Sequence, residues 1–77
     1  MEDIPIIDVA ATGDHIYHLI QINNLSVKSL QEILGLSTRQ AIYKWIWGKC
    51  LPSLDNLVIL ARVFDCTIDD IIVLEEK

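Results

Sequence analysis

Apolar side chains recur along most of this chain at helical spacing, in short clusters separated by polar punctuation. Ile16, Leu19, Ile20 and Asn23 fall at i, i+3, i+4 and i+7 and predict a first helix. It begins near Thr12–Asp14, where Thr12 or Asp14 can cap it, and ends at Asn23 and Asn24. Ser26 can cap a second helix with Val27, Leu30, Ile33 and Leu34 on its inner face and Gly35 just past its end. Ser37 and Gln40 have the spacing of a capping box for a third helix, Arg39–Trp47. Ala41, Ile42, Trp45 and Ile46 form its core face; Arg39, Gln40, Tyr43, Lys44 and Trp47 lie nearer solvent.

After Gly48, Lys49 and Pro52, Ser53 opens a fourth helix lined by Leu54, Leu57, Val58, Ala61 and Phe64. Thr67 caps a fifth, with Asp69 and Asp70 in its first turn and Ile68, Ile71, Ile72 and Leu74 as apolar anchors. Met1–Ala11 only alternates loosely, and Pro5 keeps it out of a central strand, so it reads as an arm or a short edge strand. The expected fold is all-α: a compact five-helix bundle behind a short extended N-terminal arm. The arm takes residues 1–11, the domain 12–74 and a tail 75–77.

Composition narrows the classes. With 77 residues there is room for one domain, and 52% apolar residues can fill its core. No apolar run is long enough to span a bilayer, and the acidic start lacks the basic n-region of a signal peptide, so no membrane role and a cytoplasmic location are expected. Cys50 and Cys66 form no zinc-binding pattern and read as reduced thiols, Cys66 buried among apolar residues. His15 and His18 have no evident third ligand, so neither metal nor cofactor is expected. No nucleophile–base pair or glycine-rich phosphate loop appears, which argues against an enzyme.

The net charge of −5 is unevenly spread. Met1–Asp14 carries −4 and Leu54–Lys77 carries −4, whereas His15–Ser53 carries +3, from Lys28, Arg39, Lys44 and Lys49 against Glu32. A locally basic, amide-bearing helix after a tight turn is what a small α-helical domain inserts into a DNA groove.

From Thr12 to Val73 the chain resembles the Cro and phage-repressor type of helix-turn-helix family, also called the xenobiotic-response-element family. The resemblance is carried by Leu25, Ser26, Leu30 and Gly35; by Gln40–Trp45, Gly48, Lys49 and Pro52; and by Leu57, Ala61, Ile68 and Ile71. It implies a lambda-repressor-like, five-helix domain that binds double-stranded DNA, commonly as a homodimer. Position for position, Arg39, Gln40 and Lys44 fall where the family reads bases, and Thr38, Tyr43 and Lys49 fall beside the DNA backbone. Arg and Lys suit guanine O6 and N7, and a Gln amide suits adenine.

The expected function is a sequence-specific transcriptional repressor acting on a partly palindromic operator, dimerised through helix five with Ile72 and Leu74. The chain also departs from the family. Val27 replaces a frequent phosphate-contacting Gln, Ile20 and Ile46 replace an Arg–Glu ion pair, Trp47 replaces a small or basic residue, and Asp65 replaces a Gly. Acidity, Val27 and Trp47 favour the alternative, a scaffold that binds a protein partner in the manner of an antitoxin or anti-repressor.

Overall fold

The computed structural model describes residues 4–76. Asp8, rather than Thr12 or Asp14, starts the first helix, α1 (Val9–Ile22): its carboxylate accepts the Ala11 N–H at 2.9 Å. The helix therefore takes in Val9–Ala11, three residues that the apolar pattern assigns to the arm. An acidic cap followed by the helix-favouring pair Ala10–Ala11 outweighs the loose alternation before it. Thr12 has a different task. It is fully buried, accepts the Val73 N–H at 3.0 Å and donates to the Val73 carbonyl at 3.4 Å.

The later caps follow the sequence. Ser26 accepts the Ser29 N–H at the start of α2 (Val27–Leu34), and Gly35 closes that helix at a φ of 68°. Ser53 accepts the Asn56 N–H ahead of α4 (Leu54–Val63). Thr67 and Asp70 exchange both bonds of a capping box around α5 (Ile68–Ile71). The bonds from Thr67, backbone first, hold the Asp70 carboxyl below its ordinary range. Between α2 and α4 lies α3 (Gln40–Ile46). Asp65 takes the left-handed conformation, φ 55°, that a glycine would adopt without strain.

α5 is a single turn. Ile72 already has an extended ψ of 133°, so Ile72 and Leu74 lie beyond the helix expected to hold them. That extended segment pairs with the N-terminal arm. Ile7 and Leu74 form an antiparallel bridge, the Asp8 N–H donates to Val73 O at 2.8 Å, and the Glu75 N–H donates to Ile6 O at 2.8 Å.

All five helices feed one core of Ile16, Leu19, Ile20, Leu30, Ile42, Trp45, Leu57, Leu60, Phe64 and Ile71. Three residues expected on inner faces, Ile33, Leu54 and Val58, are exposed, and Cys66, expected buried, is half-buried. Short helices bury a narrower stripe than their apolar content suggests. Burial, then the charges of Asp70 and Asp65, push the Cys66 thiol up and keep it protonated. Among the described residues, no helix is long and apolar enough to cross a membrane.

What fixes α3 in this frame is its approach to α1. A Cβ built on Gly13 would fall 2.1 Å from the Trp45 carbonyl oxygen and 2.9 Å from that of Ile46. One on Gly48, whose φ is 71°, would fall 2.9 Å from the Ala10 Cα. Backbone meets backbone here, and glycine is required on both sides. Gly13 is thus tolerated inside a helix because it seats the C-terminal end of α3.

Candidate nucleic-acid interface

The segment between α2 and α3 is closed by backbone bonds before any side chain acts. The Gly35 N–H donates to Glu32 O at 3.1 Å and the Leu36 N–H to Gln31 O at 3.0 Å, which satisfies two of the last four carbonyls of α2. The far end of α3 is closed likewise, Gly48 N–H to Trp45 O at 3.0 Å and Lys49 N–H to Lys44 O at 2.8 Å. The unit between these two glycines is consequently short and stiff.

The capping box expected from Ser37 and Gln40 does not form. α3 begins at Gln40, one residue later than the pattern suggests, and Arg39 precedes it without a side-chain cap. A box partner must sit three residues inside the cap, whereas Gln40 is the first helical residue. Its N–H instead reaches the Thr38 hydroxyl at 3.4 Å.

Gln31, which no local pattern singles out, ties this region together. Its amide donates to the Leu36 carbonyl at 3.2 Å, and its side-chain oxygen accepts from Arg39 Nε at 3.4 Å. Engaging Nε leaves both terminal guanidinium nitrogens of Arg39 for another acceptor.

Ile42 and Trp45 anchor α3 in the core, with Ala41 and Ile46 half-buried beside them. Gln40, Lys44 and Trp47 sit at i, i+4 and i+7 and are all exposed, so they share one outward stripe. Arg39 and Thr38 are exposed at its leading end, and Lys49 is exposed just beyond its trailing end. Tyr43 is half-buried and stacks on Trp47, with ring centroids 5.5 Å apart at 23°. From Ala41 to Leu54 no acidic residue interrupts this surface. The sequence-predicted positions Arg39, Gln40, Lys44, Thr38, Tyr43 and Lys49 thus lie along one short segment; Leu74 pairs with the arm and Ile72 packs half-buried on the core.

Of the paired departures, Ile20 is only 2% exposed and Ile46 is half-buried against the same core. Val27 is half-buried and also packs on it, which accounts for an apolar residue at the head of α2. Elsewhere, His15 Nε2 lies 2.8 Å from the Asp70 carbonyl oxygen and its ring stacks on His18 at 6.1 Å, joining α1 to α5. Among the described residues no three His, Cys, Asp or Glu side chains cluster as a metal site would require.

A family model described as helix-turn-helix matches residues 16–71. Among solved structures, the chain is similar to the restriction-modification controller protein C.AhdI from Aeromonas hydrophila. The two are 25% identical with a TM-score of 0.73, over 83% of this chain and 96% of the other. No curated protein matches.

Proposed function

Because the chain belongs to the helix-turn-helix family, of the Cro and C1 type and therefore of DNA-binding transcriptional regulators, we propose that it is a sequence-specific repressor that binds a partly palindromic operator as a homodimer in the cytoplasm. The observation that carries this reading is the outward stripe of α3: Gln40 and Lys44, with Arg39 at its head, are exposed in a stretch with no Asp or Glu from Ile33 to Leu54, in an otherwise acidic chain. Arg39, Gln40 and Lys44 read base edges in the major groove. Thr38, Tyr43 and Lys49 hold the sugar–phosphate backbone and set the register. The acidic remainder of the molecule orients this face toward DNA by repelling the duplex elsewhere. Likeness to a restriction-modification controller supports a regulatory role.

Dimerisation supplies the second half-site, about 34 Å from the first. Ile72 and the exposed Leu74, with Leu54 and Val58 of α4, provide apolar surface for it.

Selection of bound fragments from random DNA will return a sequence with two related half-sites, and its affinity will fall steeply with salt as counterions are released. On that fragment Arg39→Ala will cost about 1–3 kcal/mol and relax preference at one position in each half-site, whereas Lys49→Ala will weaken all sequences alike and lower the salt slope by about 1. Sedimentation of the complex will give two chains per site. A pool with no sequence enrichment at low salt would refute the proposal and leave the surface to a protein partner.

A further inference from the structure

We propose that Trp47 is a DNA-backbone contact, its indole face packed on a deoxyribose and its N–H donated to a phosphate at the rim of the groove entered by α3; this rests on the reading that α3 faces DNA. The two tryptophans of the chain have opposite environments. Trp45 is 3% exposed and belongs to the core, whereas Trp47 is 65% exposed. One face of Trp47 stacks on half-buried Tyr43, which leaves the other face open.

Its place in the stripe decides what it meets. Gln40, Lys44 and Trp47 share one face, and seven helical residues advance about 10 Å. The major groove is about 12 Å wide. With Gln40 at the base edges, Trp47 reaches the groove wall rather than its floor. The chemistry of the indole suits that wall. Its one polar group is a donor only, and phosphate oxygens are acceptors only. Lys44 and Lys49 flank it in the sequence, with no Asp or Glu from Ala41 to Leu54, so the charge of its own segment favours the same occupant. An aromatic contact of this kind adds affinity without neutralising a phosphate, so its signature differs from that of a lysine.

The test uses the full chain and its selected DNA fragment. Trp47→Ala will weaken binding about tenfold, equivalent to about 1.4 kcal/mol, at every salt concentration with the slope unchanged. Trp47→Phe, which keeps the ring and loses the donor, will recover part of that loss. Emission from the free protein will be quenched by acrylamide through Trp47, since Trp45 is buried, and DNA will abolish the quenchable component. Equal affinity of wild type and Trp47→Ala, with Trp47 still quenchable in the complex, overturns this proposal alone. Shielding of Trp47 without DNA, rising with protein concentration, also overturns it and assigns the indole to a protein surface. Absence of all DNA binding by the wild type overturns the reading of α3 and this proposal with it.

Discussion

Replacing Gly13 with alanine will destabilise the domain and disable DNA binding together, although alanine is the better helix former. On propensity alone the change gains about 1 kcal/mol. The added methyl, however, would sit 2.1 Å from the Trp45 carbonyl oxygen, and the obstacle is backbone rather than a side chain that can rotate away. Overpacking of this kind costs about 1–3 kcal/mol and occasionally more; contact with backbone belongs at the upper end. We therefore expect a net loss of about 2 kcal/mol in denaturant unfolding. The clash can be relieved only by moving α3 off α1, which displaces Gln40 and Lys44 from the position set by the bundle. Asp14→Ala, one residue on and exposed, is the control and will leave stability within about 0.5 kcal/mol. A Gly13→Ala midpoint equal to or above wild type would show that the two helices separate freely.

Arginine at Ile20 will cost more than glutamate at Ile46. Ile20 is 2% exposed, so Arg introduced there alone is a buried, unpaired charge, at about 3–5 kcal/mol. Ile46 is half-buried, and a glutamate there keeps part of its hydration, so its cost is smaller. If the two positions meet, as the replaced ion pair of the family implies, the double variant will be more stable than the sum of the single losses predicts. Strict additivity across a double-mutant cycle measured by urea unfolding would show that these side chains act on separate parts of the core. The sequence alone suggests equal partners, and the difference in burial makes the cycle asymmetric.

Why some features were legible follows from where their partners sit. Ser26, Ser53 and Thr67 bond to backbone three residues away, so local spacing suffices to find them. The same holds for Gly35, whose conformation is set by the helix it ends. Thr12 is the opposite case. Its partner Val73 is 61 residues distant, and without that knowledge a threonine before Gly and Asp looks like a cap. Gly13 and Gly48 are equally silent, since only the approach of another backbone explains them. α5 reads too long because apolar Ile72 and Leu74 continue its pattern, whereas Ile72 turns extended while still packing on the core and Leu74 serves the pairing with the arm. In the candidate interface, the exposure of Arg39, Gln40 and Lys44 follows from helical periodicity, which three dimensions do not alter. The Gln31–Arg39 bond joins two helices across a turn and is invisible to any one-element pattern.

The pairing of arm and tail gives the chain a seam. Bonds from Asp8, Thr12 and Glu75 fasten its two ends across nearly the whole length of the sequence. Closing a loop of 61 residues from an open coil costs about 3–4 kcal/mol in entropy. Four bonds at about 1 kcal/mol each roughly match that, and ordering the backbone of both segments costs about 1–2 kcal/mol more for each residue fixed, so the seam can form only after the helices have already brought the two segments together. It follows that the seam closes last and opens first. A fluctuation that unzips it frees residues 6–8 and 73–75 while α2 and α3 keep their fold, so amide exchange at Val73 and Glu75 will outpace that at Leu30 and Ile42. What the seam leaves exposed to opening is the start of α1, so the turn from α2 into α3, closed by its own backbone bonds, keeps its geometry while the seat of α3's far end depends on how far α1 frays.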